Sequence, residues 1–512
     1  MVVSAQLFRL LCIVLLVLGV FFRFVNLDKK IYWHDESYTS LRVSGYTLAE
    51  VKKQVFDGHE VGIEALQKYQ RFNPESKLID TINSLAVEDP QHPPLYYVIL
   101  RFWVQWFGDS VVVARSLTAL TSLLVFPCVY WLCRELFESP LVAWTAMALI
   151  AVSPLHVLFA QEAREYCLWT VTILLSSASL LQAMRVKTKL SWGIYAATVA
   201  LGLYTFFFSS LVALGHGIYI LANQRFRWSK TVTAYLIASF TGLLIFAPWL
   251  WVIITNLSQF QNATGWTGIG SRLFLIERWL VNLSRIFLDV SPDSGNPFIL
   301  NLILAILVGY SIYFLYYTAP KRAWLFILIL IGATTLPLIL PDVIKGGVRS
   351  TIPRYLFPCF LGIQLAVAYL LATKITSPSF RQRRLWQIIM VVLLSSGVIS
   401  CIISSQAKIG WLKDNSLSNP KVAYIINQAS RPLLISNDNG SNPGNIISLS
   451  YLLEQKVRFR LVTTQNLPEI PDNFSDIFLF DGDSSKKWRS RLENEENYKL
   501  EPILEVLWRL KR

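Results

Sequence analysis

The sequence predicts a polytopic α-helical membrane protein that ends in a small extracytoplasmic α/β domain. Hydrophobic residues make up 54% of the 512 residues and charged residues only 16%, a composition that soluble globular chains do not show. Apolar segments near 20 residues in length recur up to residue 404, and each can cross a hydrocarbon core of about 30 Å. The composition then becomes that of a soluble chain. We therefore expect a membrane module over 1–404 and a separate domain over 405–512.

About eleven helices are expected to span the bilayer. The first resembles a secretory signal, with Arg9 before an apolar segment, but no A-x-A-like cleavage site follows it, and we interpret it as an uncleaved anchor. Two neighbouring spans are the least distinct, because "YTFFFSS" separates them only weakly. The predicted spans are 7–26, 111–133, 140–158, 166–184, 191–208, 209–223, 231–253, 298–318, 324–340, 355–373 and 385–404.

Two long polar segments, 27–93 and 254–297, are predicted to be external loops. Between the first loop and the second span lies "LYYVILRFWVQWF", Leu95–Phe107, which is too short to span and contains Arg101 and Gln105. Its Trp and Tyr content is typical of the headgroup region. We therefore expect it to lie on the membrane surface, and this choice determines on which side every later loop falls.

The distribution of charge supports this topology. The formal net charge is +14. With Leu95–Phe107 on the surface, the loops at 134–139, 185–190, 224–230, 319–323 and 374–384 share one side. Together they hold 13 basic residues against only Glu135 and Glu138. The positive-inside rule makes that side cytoplasmic, so the high charge reflects orientation and does not indicate nucleic-acid binding.

The six cysteines lie in or beside apolar segments without paired spacing. They are expected to be buried small side chains rather than disulfides or zinc ligands. We find no dedicated metal-binding cluster in the sequence.

The tail after residue 404 alternates predicted strands with predicted helices. "PLLISND", "VRFRLVT" and "DIFLFDG" are predicted strands, "NIISLSYLLEQ" and "SKKWRSRLENE" are predicted helices, and "YKLEPILEVLWRLK" is predicted to close the domain as a strand or hairpin. This alternation indicates a small α/β domain.

Four separate segments are expected to bring acidic, basic and aromatic residues to the external face. They follow the first span, precede the surface helix, form a short turn between two spans, and precede a late span. The candidate catalytic residues are Asp35, Glu36 and Glu162, and the candidate substrate-binding residues are His92, Arg164, Tyr166, Arg349, Arg354 and Tyr355.

Each candidate also has a structural interpretation. Asp35 and Glu36 fit a helix N-terminus in water, and Glu162 with Arg164 fits an ion pair that closes a tight turn. Arg354 and Tyr355 together match an ordinary interfacial anchor. Because these acidic, basic and aromatic residues are all expected on the external face, a shared functional site is favoured over the separate structural explanations.

The residue types suit a sugar transfer that releases a phosphate. A carboxylate can act as general base on an acceptor hydroxyl or amine, and arginines can hold a phosphate as it leaves with negative charge. A phosphate leaving group needs no strong general acid, so an inverting transfer requires one positioned carboxylate.

At these residues the chain resembles the GT-C glycosyltransferases, especially the bacterial relatives of dolichyl-phosphate-mannose protein mannosyltransferases and lipid A aminoarabinose transferases. The matching features are "DE" after the first span, "HPPLYY", "FGDSVVVARSLTAL", "SPLHVLFAQEAREY" and "PRYLFP", which together run through most of 1–373. The resemblance implies a GT-C fold with juxtamembrane helices and an external-face transferase that uses a polyprenyl-phosphate sugar. It would make Asp35 the base, Glu162 the second acidic position and Arg354 a phosphate contact.

Several questions stay open from the sequence. Related enzymes differ in metal dependence, so a divalent cation is possible. The acceptor could be a lipid, a glycan or a protein, and the resemblance implies a multi-pass protein of the inner (plasma) membrane. A flippase-like transporter of lipid-linked sugars or solutes is the alternative function, although the acidic residues lie at loop ends rather than mid-membrane, where transporters usually carry ionisable groups. A non-catalytic scaffold would leave the one-sided clustering unexplained.

Overall fold

The computed structural model describes residues 5–268, 274–289, 297–410, 413–471, 473–482, 486–495 and 498–511. The chain divides into two compact units. The helical unit comprises Met1–Val25, Asp89–Tyr96 and Arg115–Gln406, and the sheet unit comprises Asn26–Glu88, Tyr97–Ala114 and Ala407–Arg512. The predicted tail, 405–512, is thus combined in one unit with most of the first predicted external loop.

The described residues form helices and strands that are numbered here in chain order. The α-helices are α1 (Ala5–Phe24), α2 (His34–Val43), α3 (Leu48–Val55), α4 (Ile63–Gln67), α5 (Leu78–Glu88), α6 (Leu95–Phe107), α7 (Val111–Leu123), α8 (Val125–Phe137), α9 (Pro140–Ala151), α10 (Pro154–Ala160), α11 (Tyr166–Val186), α12 (Lys189–Thr205), α13 (Ser209–Asn223), α14 (Lys230–Thr255), α15 (Leu257–Gly265), α16 (Leu275–Ser284), α17 (Phe298–Thr318), α18 (Lys321–Lys345), α19 (Phe357–Lys374), α20 (Phe380–Gln406), α21 (Asn419–Gln428), α22 (Asn442–Ser450) and α23 (Lys486–Glu495). The strands are β1 (Asp57–Gly62), β2 (Pro432–Asn437), β3 (Arg458–Val462), β4 (Asp476–Phe480), β5 (Lys499–Leu504) and β6 (Leu507–Lys511).

Within the described ranges, eight helices are long and apolar enough to cross a membrane. They are Gln6–Phe24, Val111–Phe137, Tyr166–Val186, Lys230–Thr255, Phe298–Thr318, Lys321–Lys345, Phe357–Lys374 and Phe380–Gln406. A ninth candidate consists of α9 and α10, which are bent by 60° at their junction. These nine match nine of the eleven predicted spans.

The two remaining predicted spans, 191–208 and 209–223, form the shorter helices α12 and α13. They contain 17 and 15 residues, which at 1.5 Å per residue gives about 22–26 Å, less than the hydrocarbon thickness of about 30 Å. The weak "YTFFFSS" break therefore marks a real interruption, with the backbone extended at Phe206.

The bend between α9 and α10 releases backbone carbonyls that would otherwise bond within one continuous helix. Pro154 begins α10 and has no N–H to donate. The buried guanidinium of Arg23 on α1 donates to Ala151 O at 2.9 Å and to Ile150 O at 3.2 Å. The thiol of Cys401 lies 3.5 Å from Val152 O. Because buried backbone groups need partners, these side chains stabilise the bend.

The sheet unit contains a six-stranded sheet in the order β1-β3-β2-β4-β6-β5. Strand β2 pairs in parallel with β3 and β4, whereas β4–β6 and β5–β6 are antiparallel. The predicted α/β tail is confirmed, including the closing hairpin. Strand β1, which comes from the predicted loop 27–93, pairs antiparallel with β3, and this sixth strand was not predicted from the sequence.

Both faces of the central strand are covered, which explains the uninterrupted apolar run in "PLLISND". Leu433 and Ile435 pack with Trp488 and Leu492 on one face. Leu434 packs on the other face in a cluster that includes residues of α2, α3 and α22. A strand that is buried on both sides does not show polar alternation.

Helix α6, the predicted surface helix, contains 13 residues and is not one of the candidate spans. Arg101 on this helix is buried and donates to Val43 O at 2.8 Å and to Thr81 Oγ1 at 3.1 Å, within the sheet unit. Phe102 and Trp106 are exposed, Trp106 at 70%. Arg101, whose charge made a membrane span at α6 unfavourable, is therefore buried against protein. The position of α6 along the bilayer surface stays a prediction.

Candidate functional site

A buried cluster of charged residues lies in the helical unit, where the turn between α10 and α11 meets the segment before α6. Glu165 and Arg164 are buried, and the His92 side chain is 19% exposed. Glu165 Oε1 lies 2.9 Å from His92 Nδ1 and 3.3 Å from Arg164 Nη2. Arg164 Nη2 also lies 3.4 Å from His92 Nε2. The imidazole of His92 therefore contacts a carboxylate at one ring nitrogen and a guanidinium at the other.

The turn that carries this cluster is tight and tied to α1. Arg164 N donates to Glu162 O at 2.7 Å, which closes the turn locally. The side-chain amide of Gln161 donates to Phe22 O at 2.8 Å and to Val25 O at 2.9 Å, the carbonyls at the end of α1. Glu162 is 1% exposed. The "QEAREY" sequence thus places Glu162, Arg164 and Glu165 in a fixed turn that is buried from solvent.

The segment that carries His92 is held from two directions. His92 N donates to Asp89 O at 2.9 Å, and the Trp249 indole N–H donates to Pro90 O at 3.2 Å. At the start of α6, the Tyr96 hydroxyl lies 2.9 Å from Thr118 Oγ1. These bonds fix the histidine backbone on both of its flanks.

Glu165 stays ionised over the physiological range. Burial alone would raise the pKa of its carboxyl, but the positive charge of Arg164 and the neighbouring His92 outweigh burial and lower the pKa to about 2. The cluster therefore contains a permanent negative charge that orients Arg164 and the imidazole of His92.

An aromatic row connects Arg164 to Arg354 within the helical unit. The Arg164 guanidinium lies over the Tyr166 ring, 5.6 Å from its centroid, and Tyr166 packs edge-on against Phe206 at 5.7 Å. Phe206 stacks with Tyr355 at 6.2 Å, and the Arg354 guanidinium lies 5.7 Å from the Tyr355 centroid. The structure thus brings four predicted substrate-binding residues, Arg164, Tyr166, Arg354 and Tyr355, into one connected region.

Arg349 does not belong to this aromatic row but forms an ion pair that stabilises the loop between α18 and α19. It pairs with the buried Asp342 on α18 at 3.0 Å. The other oxygen of Asp342 accepts from Ser350 N at 2.7 Å and from Ser350 Oγ at 2.8 Å. Gly347 has φ +132°, and an added Cβ there would lie 2.6 Å from both Arg349 Nη1 and Asp342 Oδ1. Arg349 therefore fixes the loop that precedes Arg354.

Asp35 and Glu36 lie in the sheet unit, in the first turn of α2. Glu36 is fully buried, and its Oε2 lies 3.1 Å from the equally buried Lys413 Nζ and 3.4 Å from Trp33 N. Its carboxylate therefore caps the start of α2, but it does so in a buried position rather than in water. Asp35 is only half-buried, so of the two acids it is the one open to solvent.

Three partners of these residues were missed in the sequence analysis. Glu165 stands between two named residues of "QEAREY", and only its burial and contacts set it apart. Asp342 lies within an apolar run, where an acidic residue is costly unless paired, and this signal could have indicated it. Lys413 is far from Glu36 in sequence, and no local pattern connects them. Among the described residues, no group of three or more His, Cys, Asp or Glu is placed to hold a metal ion.

Comparisons with known proteins agree with this architecture. Residues 91–252 match the sequence model of the family described as Dolichyl-phosphate-mannose-protein mannosyltransferase. The fold is similar to ArnT from Cupriavidus metallidurans bound to undecaprenyl phosphate, with TM-score 0.54 and 12% identity over 99% of this chain and 98% of that chain. The apo state of ArnT gives TM-score 0.54 and 11% identity, with 97% of each chain covered. No curated protein matches the sequence significantly.

The chain therefore has the fold of the GT-C superfamily of membrane glycosyltransferases, and the resemblance noted from its sequence is confirmed. The segment that matches the family model begins one residue before His92 and contains the whole turn from Gln161 to Tyr166.

Proposed function

We propose that this protein is an integral-membrane inverting glycosyltransferase that moves a sugar from a polyprenyl-phosphate donor to an acceptor at the extracytoplasmic face. The observation that carries the proposal is the buried cluster of His92, Arg164 and Glu165 beside Glu162, inside the segment that matches the mannosyltransferase family. A fixed set of charges at helix ends suits electrostatic positioning of a charged donor.

In the proposed reaction, Asp35 is the general base. Its carboxylate takes the proton from an acceptor hydroxyl or amine while the acceptor atom attacks the anomeric carbon. The bond between that carbon and the phosphate oxygen breaks, and the polyprenyl phosphate leaves with the bonding electron pair. Attack on the face opposite the leaving group inverts the anomeric configuration.

The remaining residues have supporting roles in the proposal. Arg354 would contact the departing phosphate, because a guanidinium matches phosphate oxygens in geometry and charge. Glu162 would be the second acidic residue at the acceptor side. Arg164, with His92 and Tyr166, would line the approach to the sugar, while Arg349 would hold the loop that carries Arg354.

The similar structure of ArnT, which is bound to undecaprenyl phosphate, supports the donor class. The sugar can be a hexose or a pentose, and the acceptor can be a lipid, a glycan or a protein. The basic loops support an active site and sheet unit on the extracytoplasmic side of the inner membrane.

The test uses purified protein in vesicles with radiolabelled undecaprenyl-phosphate-linked sugars, including mannose and aminoarabinose, and a crude envelope extract as acceptor. We expect one donor to label an acceptor. Asp35→Asn should lower kcat by about 10²–10⁴-fold, the usual contribution of a positioned base. Asp28→Asn, the same change at an exposed position nearby, should behave as wild type.

Two outcomes would contradict the proposal. Near-normal transfer by Asp35→Asn would exclude Asp35 as the base. Movement of labelled donor across sealed vesicles, with no sugar transferred to any acceptor, would favour the flippase-like transporter.

A further inference from the structure

The start of α2, which carries Asp35, is held by residues from the far end of the chain. Ile31 N donates to Lys408 O at 3.0 Å, and His34 N donates to Ser416 Oγ at 3.1 Å. The Tyr32 ring packs against that of Tyr451, with centroids 5.1 Å apart. All of these residues belong to the sheet unit.

A buried ion pair between Glu36 and Lys413 also joins the start of α2 to the far end of the chain. Both side chains are 0% exposed, and Nζ lies 3.1 Å from Oε2. The same ammonium lies 5.2 Å from the centroid of the Trp33 ring, so it contacts two residues of the helix start. A buried charge cannot leave its partner without large loss of stability, and the geometry of this turn is therefore tightly fixed.

Close packing restrains the turn further. The Ser416 hydroxyl that accepts from His34 N donates to Asn445 Oδ1 at 2.9 Å. A Cβ added at Gly444 would lie 2.4 Å from His34 Nδ1. The backbone of α22 thus lies directly against the His34 ring, and this close approach requires glycine.

The other end of α2 is anchored by different residues. Arg42 pairs with Glu88 at 2.5 Å, and Glu88 also accepts from Leu48 N at 2.7 Å. Arg101 donates to Val43 O. Each end of α2 therefore carries one ion pair between a glutamate and a buried basic residue, Glu36 with Lys413 and Arg42 with Glu88. The effects of breaking the two pairs can be compared directly.

We propose that Lys413 is a positioning residue that sets the orientation of Asp35 through Glu36 and the first turn of α2. This proposal rests on the proposed role of Asp35 as the base. Lys413 lies near the beginning of the tail, so the tail would be part of the active machinery rather than an appended module.

The experiment compares Lys413→Met with Arg42→Met in the full-length protein, using the undecaprenyl-phosphate-linked sugar panel. We expect Lys413→Met to lower kcat at least tenfold with the donor KM within twofold of wild type, because a misplaced base affects the chemical step. Arg42→Met removes the same kind of pair from the other end, and its kcat should stay within threefold.

A second variant covers the case in which Lys413→Met does not fold. Glu36→Gln/Lys413→Met removes both charges of the pair, so neither residue leaves an uncompensated buried charge. The double variant should fold and still show a kcat at least tenfold below wild type. Wild-type kcat in the double variant would overturn the proposal.

A readout independent of transfer is the reactivity of position 35 itself. The six native cysteines are buried, so Asp35→Cys provides an accessible thiol for a maleimide probe. Adding Lys413→Met should change its labelling rate at least tenfold, and adding Arg42→Met less than threefold. Equal changes in labelling rate from Lys413→Met and Arg42→Met would refute the positioning role, and this result does not depend on an active donor. Failure of every donor in the panel would count only against the proposed function.

Discussion

Replacing Glu165 by glutamine should destabilise the helical unit strongly. The substitution keeps the volume of the side chain but removes the negative charge that the structure places against both Arg164 and His92, at 3.3 and 2.9 Å. Removing one partner of a buried ion pair typically costs about 3–5 kcal/mol.

The pKa of Glu165 gives a second route to this magnitude. Its carboxyl has a pKa lowered from 4.5 to about 2, because Arg164 and His92 outweigh the opposing effect of burial. A lowering of that size corresponds to roughly 3 kcal/mol of stabilisation in the ionised form. The two routes agree, and we expect the Tm of Glu165→Gln to fall by roughly 4–7 °C at pH 7.

The sign of the pH dependence follows from the lowered pKa. A carboxyl with a depressed pKa stabilises the folded state fully above its unfolded pKa, near 4.5, and that contribution is lost as the pH falls toward 2. The difference in Tm between wild type and Glu165→Gln should therefore be constant from about pH 5.5 to 8 and should shrink by about pH 3.

The assay is intrinsic tryptophan fluorescence of the purified protein during heating at one fixed scan rate, because large proteins often unfold irreversibly. The control is Glu138→Gln, which removes the partner of Arg322 from a pair whose side chains are 71% and 41% exposed. An exposed pair contributes about 0–1 kcal/mol, so the control should change the Tm little. Equal Tm shifts in the two variants, or a Glu165→Gln shift that persists unchanged at the acidic end, would refute the reasoning.

Three further predictions concern single positions. Arg354→Ala should raise the donor KM at least tenfold and leave the acceptor KM within twofold, measured in the transfer assay; equal donor KM values would exclude a phosphate contact. Arg23→Gln should lower the yield of folded protein, since the carbonyls of Ile150 and Ala151 lose a charged donor; size-exclusion chromatography with an unchanged monodisperse peak would contradict this. Gly347→Ala should destabilise the protein by about 1–3 kcal/mol, because φ +132° is strained for any other residue; an unchanged Tm would show that the loop can relax.

The spans were the most predictable part of the structure, because a span is encoded locally as a run of apolar residues. Nine of the predicted positions coincide with long or bent apolar helices. The least distinct spans were those of α12 and α13, where the predicted break at "YTFFFSS" coincides with the extended backbone at Phe206.

Long-range pairing was not predictable in the same way. Strand β1 has the sequence "DGHEVG", with little β-branched or aromatic character, and it becomes a strand because the edge of β3 is available to pair with it. The Glu36–Lys413 pair likewise joins distant segments. In the candidate site, residue types predicted the turn at Glu162 and Arg164, but only burial distinguished Glu165 as the residue that organises it.

The pairing of β1 with β3 also has a consequence for biosynthesis. Residues 57–62 leave the ribosome long before 458–462, and at ~5–20 residues per second the interval is about 20–80 s. Throughout that interval β1 exists without the strand with which it pairs. The sheet unit can therefore complete its sheet only after residues 458–462 have been synthesised, when the helices of the helical unit have already been made.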